Sequence, residues 1–283
     1  MYFKAVTSML SPYPTEGVIE FGDLDNEKVN KIVSEFDLTK LEEINSIDAL
    51  VNELVSFFEE RLINPEIFKN LLSYLAVTFK GIKLEEIEKL TGIDYEEWKL
   101  VLCFFKSFFF THRGLWKIRN QVLSKVIKER YVNSQEKARE IHLNIANVIE
   151  DEVFTLRILE EKTNHYYIAR EFNLLKQTIV SIDAFLLLFN PHTKYDLCRY
   201  WQLLETQGYD PVVEYNKGIE IFDMHFSPKP EDLFTIILQI SRFLKEFSDF
   251  ETLTTPEFKH PFIQGKTVDR NTDKAYLKKE GAT

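Results

Sequence analysis

"FFFTHRGLWKIRN", residues 108–120, decides how this chain is read. Two aromatic and β-branched runs flank Arg113-Gly114, a pair suited to a tight turn, so the stretch predicts a β-hairpin. Its surroundings carry the three-and-four spacing of helices. It is also basic, in a chain of 283 residues whose formal net charge is -10. Upstream, Pro65 opens "PEIFKNLLSYLAVTF" at the first-turn position that tolerates proline. "KGIKLEEIEKLTG" reads as a turn, a short helix and a glycine stop at Gly92, and Asp94 then caps "YEEWKLVLCFFKSFF". Downstream, Asn120 caps "NQVLSKVIKERYV". Three helices, a two-stranded hairpin and a closing helix predict a winged helix over residues 62–132, with the hairpin as its wing.

The flanks are helical too. Residues 1–61 form an N-terminal helical segment. It has a turn-rich link, "SPYPTEG", and a helix from Asn26 that sets Val29, Ile32, Val33 and Phe36 on one face. Ser46 then caps "SIDALVNELVSFFEERL". This segment has no core of its own. Residues 133–250 begin with "SQEKAREIHLNIANVIEDEV", where Ile141, Ile145, Val148 and Ile149 share a face. Further helices follow, joined at "NPHT", "GYDP" and "SPKP". Short connections of this kind predict antiparallel helical hairpins. No clean 34-residue repeat is visible, so the expectation is a degenerate α-solenoid arm. Residues 251–283, with Pro256, Pro261, Gly265 and Gly281, read as an extended tail. The predicted fold is mainly α.

The start, "MYFKAVTSML", lacks the pattern of a secretory signal, and no apolar run approaches the ~20 residues of a membrane span. Cys103 and Cys198 sit in apolar helical contexts without metal-ligand spacing, which predicts buried thiols in a reducing compartment and a cytoplasmic chain. The six histidines, at 112, 142, 165, 192, 225 and 260, show no i, i+3 or i+4 pairing, so no metal is expected. His142 falls on the polar edge of its helix and reads as a surface or interface residue. The acidic pairs Glu59-Glu60, Glu85-Glu86 and Glu160-Glu161 read as solvated helix faces, and Tyr166-Tyr167 and Tyr200-Trp201 as packing. "HPFIQGKT", residues 260–267, ends like a phosphate-binding loop, but His260 and Pro261 stand where a curling, N–H-donating backbone is needed. No cofactor and no enzymatic activity are expected.

Charge gives the best clue to function. From Trp98 to Val132 eight lysines and arginines face one acid, Glu129, a local excess of +7 that leaves -17 for the rest. A segregated patch of this kind attracts an acidic partner or docks on the chain's own acids. The candidate partner-binding residues are Lys117 and Arg119, two apart on a strand, and Lys125 and Lys128, three apart on a helix. The apolar tail residues Phe258, Phe262, Ile263 and Tyr276 form a second candidate contact. A nucleic-acid-binding winged helix is the other reading of the basic charge. The helix that would enter the groove, "YEEWKLVLCFFKSFF", lacks the arginine, asparagine and glutamine that read base edges.

Three segments carry a family resemblance. "LTGIDYEEWKLVLCFFKSFFFTHRGLWKIRNQVLSKVIKERYV" resembles the winged helix that follows the nucleotide-binding core of NACHT-type STAND ATPases. "KAREIHLNIANVIEDEV" resembles the helix that opens their arm. "LEEKTNHYYIAREFNLLKQTIVSIDAFLLLFNPHTKYDLCRYWQLLETQG" is similar to the arm of nephrocystin-like and tetratricopeptide-containing members. The opening "MYFKAVTSML" resembles the end of the core. The phosphate loop is missing from this chain, and Asn120 stands where relatives often place a nucleotide-proximal histidine. The resemblance therefore implies a scaffold without the motor, in a ciliary setting, with tubulin or another axonemal protein as partner. The alternative it implies is the C-terminal part of a STAND ATPase.

Overall fold

The structure, a computed structural model, describes residues 30–32, 34–35, 44–105, 108–149 and 155–254, with side chains at all of these except 95–97, 103 and 251–254. Val29, Val33 and Phe36, Lys106, residues 260–267 and the tail residues Phe258, Phe262, Ile263 and Tyr276 lie outside the described residues. The chain divides into two units, Met1–Ile179 and Val180–Thr283.

The first unit grows from well-capped helices. Helix α1 (Ile47–Glu59) starts at Ser46, whose hydroxyl accepts from the Ala49 N–H. Helix α2 (Pro65–Val77) starts at Asn64, with proline at its first position. A short strand β1 (Ile82–Lys83) leads into α3 (Leu84–Thr91), which ends on Gly92 in the left-handed conformation. Helix α4 (Tyr95–Phe105) precedes the hairpin β2 (Phe109–His112) and β3 (Leu115–Ile118). Helix α5 (Gln121–Tyr131) closes the series, with Asn120 accepting from the Leu123 N–H.

The hairpin turn is Arg113-Gly114. Both residues have positive φ, 52° and 77°, which matches the right-handed twist of the strands it joins. The register pairs Phe109 with Ile118 and Thr111 with Trp116. The two-stranded expectation needs correction, because the sheet has three strands in the order β1-β3-β2. Ile82 pairs with Trp116, and Lys83 with Leu115. Gly81 permits this approach: its φ is 113°, and a Cβ there would lie 2.9 Å from Leu115 Cβ.

Helix α1 has no core of its own and packs on α2 and α5. Phe58 meets Phe104 at 4.5 Å and Phe105 at 5.4 Å between ring centroids, while Trp98 sits edge-on to Trp116. Each fully buried phenylalanine contributes up to ~3 kcal/mol. The same unit continues into α6 (Gln135–Val148) and α7 (Leu156–Ala169), packed on each other, with α6 also on α2 and α3. Ile141, Ile145 and Ile149 are buried, the face the spacing predicts.

Helix α8 (Phe172–Val180) ends at the division. The second unit holds α9 (Ile182–Leu188), α10 (Lys194–Glu205), α11 (Pro211–Phe226) and α12 (Pro230–Thr254). Helix α12 runs four residues past the expected boundary at 250. Lengths this unequal explain why no regular repeat shows in the sequence. The core is aromatic: Phe185, Trp201, Tyr215 and Phe243 are buried, and Trp201 Nε1 donates to Tyr215 Oη at 3.1 Å. Tyr200 and Tyr166 pack as expected, and Cys198 is a buried free thiol.

Gly218 gives a test of this packing. A Cβ there would lie 2.6 Å from the Val180 carbonyl oxygen. In an open helix Gly→Ala stabilises by up to ~1 kcal/mol. Here the clash reverses the sign, and Gly218→Ala is expected to cost about 1–3 kcal/mol. A raised melting temperature for that variant would show that α11 is free to move away.

Candidate functional site

Part of the +7 segment is engaged within the first unit. Lys99 is buried. Lys125 pairs with Asp48 of α1 at 2.9 Å. Arg130 reaches Glu59, Asn52 and Ser56 on the same helix, each at 2.8 Å. Tyr131 Oη donates to Glu59 at 2.6 Å, so α5 is clamped to α1 by one carboxylate. Burial alone would raise the Glu59 carboxyl, but the bonds from Tyr131, Arg130 and Lys69 hold it below its ordinary value. The same burial and bond push the Tyr131 hydroxyl up.

Lys117 is half-buried and donates to the Phe79 carbonyl at 2.7 Å. Burial lowers its pKa; Glu161 opposes that, while Lys128 and Lys80 add to it. Lys128 lies at an exposed position, yet enough of its ammonium is covered that burial lowers its pKa, and it has no ion-pair partner among the described residues. Arg113 is exposed at the turn, and exposed Arg119 lies over the Phe110 ring at 5.5 Å. The four candidate residues thus split: Lys117 and Lys125 bond within the unit, while Arg119 and Lys128 face outward.

Beneath Lys117 lies a polar centre that the sequence reading missed. Glu161 of α7 is fully buried. Its Oε1 accepts from Thr78 Oγ1 at 2.5 Å, Lys80 N–H at 2.7 Å and Gly81 N–H at 3.1 Å, and its Oε2 from Phe79 N–H at 2.9 Å. The carboxylate is an internal anion in a nest of backbone donors at the end of α2. Burial pushes its pKa up, but the pull of His165 and the bonds from Thr78 and Lys80 win and bring it to about 2. His165 Nε2 stands 3.4 Å from Glu161, long for a hydrogen bond, so its attraction is mainly electrostatic. His165 Nδ1 meets His142 Nδ1 at 2.6 Å, which requires one ring to donate and the other to accept. Burial, His165 and Lys128 together push His142 down to about 3, against the opposing pull of Glu161.

These contacts correct two expectations. His142 is buried at 5% exposure, not a surface residue. One acid of each pair, Glu59, Glu86 and Glu161, is an internal anchor instead of a solvated charge. Glu86 accepts from the Lys83 N–H at 2.8 Å and holds both Arg157 amino groups at 2.6 Å. Glu160 pairs with Lys80 at 2.6 Å. Glu161 and His165 had a legible signal: with Ile158 and Ala169 they occupy the apolar stripe of α7 at spacings of three and four.

Comparison with known proteins gives one likeness. The chain is similar to a TPR repeat-containing protein of Dictyostelium discoideum, 22% identical over 202 residues. That match covers 69% of this chain and 12% of the relative, so the chain spans about an eighth of the protein it resembles. No family model and no solved structure matches.

Helix α4, which would enter a DNA groove, is core instead. Trp98, Lys99, Leu100, Val101, Leu102, Phe104 and Phe105 are all buried. Among the described residues no helix is long and apolar enough to cross a membrane, and no group of three or more histidines, cysteines and acids could hold a metal.

Proposed function

We propose that this chain is a non-enzymatic protein-interaction scaffold, a winged helix followed by a tetratricopeptide-like helical arm, which docks on an acidic protein surface through the outer side of the wing. The element order helix, short strand, helix, helix, hairpin supports the winged-helix reading. The TPR-containing relative supports the arm. The observation that carries the docking surface is the lysine group. Lys128 and Lys80 are close enough to Lys117 to depress its pKa, and Lys128 has no acid partner of its own among the described residues. Like charges held together cost free energy, which an anionic partner would recover. The axonemal setting, with the acidic tubulin surface as partner, rests on the resemblance to nephrocystin-like proteins. The alternative, a part of a STAND ATPase, rests on the same resemblance.

The test separates outward charges from internal ones. Arg113→Glu, Arg119→Glu and Lys128→Glu together are expected to leave the fold intact. They should abolish cosedimentation with microtubules and with it the salt dependence that exposed charges confer over ~8 Å at physiological ionic strength. Lys125→Glu with Arg130→Glu should instead loosen α1 from α5 and lower the unfolding midpoint. No sedimentation of the unaltered chain sinks the tubulin reading; sedimentation that survives the triple reversal sinks the wing surface.

A further inference from the structure

The second unit leaves one side of α12 uncovered. On this helix Ile236, Ile240, Phe243 and Phe247 point into the core. The opposite side carries Phe234, Ile237, Leu238 and Ser241 at helical spacing, and all four are exposed, Phe234 at 66%. Scattered apolar residues need no explanation, but a seam of them along one helix marks a contact surface. What covers the seam follows from the charges at its ends. Glu231 is exposed toward the N-terminal end, and Arg242 and Lys245 are exposed toward the C-terminal end. None of these three has an ion-pair partner among the described residues, whereas the neighbouring Glu246 is taken by Lys194 at 2.6 Å.

These residues are spaced symmetrically about Leu238. Glu231 lies seven places before it and Lys245 seven places after it. Seven residues make about two turns, so the three share one stripe of the helix. Phe234 lies four places before Leu238 and Arg242 four places after it. A second α12 laid antiparallel on the first, with the two-fold axis at Leu238, brings each residue level with its mirror position. Glu231 then meets Lys245 of the other copy at both ends. Arg242 comes over the Phe234 ring of the other copy, also twice, and Leu238 meets its own equivalent at the centre. A parallel pairing would set Glu231 against Glu231 and Lys245 against Lys245, which repels. A two-fold contact needs a surface complementary to itself, and this order of charges supplies one. A foreign partner would require no such symmetry.

We propose that the chain pairs with a second copy of itself through the outer seam of α12, antiparallel, with Leu238 on the two-fold axis and a Glu231–Lys245 pair at each end. The apolar seam supplies the attraction, and the flanking charges fix the orientation. The seam is narrow, so the pairing is weak. This goes beyond the scaffold reading, whose surface lies in the other unit, so either can fail alone.

Sedimentation of the full chain tests it. At about 100 μM, where a weak interface fills, the particle should have twice the mass of one chain. Leu238→Asp sets two carboxylates against each other on the axis and should return the mass to that of one chain. Its melting temperature should not change, because the position is exposed. Glu231→Lys and Lys245→Glu should each weaken pairing about tenfold. An equimolar mixture of those two variants should restore it, because each supplies the charge that the other lacks. Disulfides read the orientation. Under mild oxidation Leu238→Cys should link two copies roughly tenfold faster than Glu231→Cys, whose two positions stand about 21 Å apart along the antiparallel pair. The mass of one chain at that concentration would overturn the proposal and leave the seam to another protein. Pairing that survives Leu238→Asp, a mixture that fails to pair, or Glu231→Cys linking as fast as Leu238→Cys would each overturn it as well.

Discussion

Glu161→Ala is expected to lower the unfolding free energy by about 3–5 kcal/mol, enough to remove most of the margin of an ordinary domain. The size follows from what is left behind. The backbone N–H groups of Phe79 and Lys80 and the Thr78 hydroxyl all lose their acceptor in the interior, while the Gly81 N–H keeps only Thr78 Oγ1 at 3.1 Å. Each orphaned buried donor costs about 1–3 kcal/mol. Glu161→Gln keeps the shape but turns an amide NH2 toward groups that also donate, so it should cost about half as much. Glu140→Ala is the control. It removes an exposed pair with Lys137 at 3.0 Å, which is worth under ~0.5 kcal/mol. Urea midpoints of the three variants check the order. A Glu161→Ala midpoint equal to that of Glu140→Ala would mean that water replaces the carboxylate, and that the loop at 78–81 opens to solvent.

The same anchor explains which parts of the structure could be read from the chain alone. Local chemistry was legible. Ser46 and Asn120 cap helices because their side chains accept from the backbone three residues on. Arg113-Gly114 marks the hairpin because the turn needs two residues at positive φ. Contacts far apart in sequence were not legible. Strand β1 has only two residues, too few to show an alternating pattern, and is defined by its partner β3. Glu161 and Glu160 look alike in sequence. Only the nest of residues 78–81, some eighty positions upstream, makes one of them the acceptor of four hydrogen bonds. The basic segment failed similarly: its charge was counted correctly, but Asp48 and Glu59, which neutralise Lys125 and Arg130, come from a helix earlier in the chain.

Acid should unfold the first unit earlier than its carboxylates alone would dictate. The reason is the pair His142 and His165, whose Nδ1 atoms lie 2.6 Å apart in the interior. Two imidazolium rings cannot share that contact, since both would donate and their charges would repel. His142, buried against its neighbour, therefore resists a proton until about 3. In the unfolded chain the His142 ring takes a proton near the ordinary value of about 6.5. A folded pKa below the unfolded one means that the unfolded state binds the extra proton. Stability is thus complete above pH 6.5 and falls as pH drops toward 3, with a limiting slope of about 1.4 kcal/mol per pH unit. Glu161, at about 2 when folded, adds a second loss of the same sign, but only below its unfolded value of 4.5. The window between pH 6.5 and 4.5 therefore belongs to His142, and about 2 kcal/mol should disappear across it. His142→Gln retains a hydrogen-bonding group beside His165 and removes the titration. It should flatten stability across that window and leave the steeper loss below pH 4.5 intact. Urea titrations at pH 7.5, 6.0 and 5.0 on both proteins give the comparison, and parallel slopes would show that the His142 ring opens to take its proton without unfolding the unit.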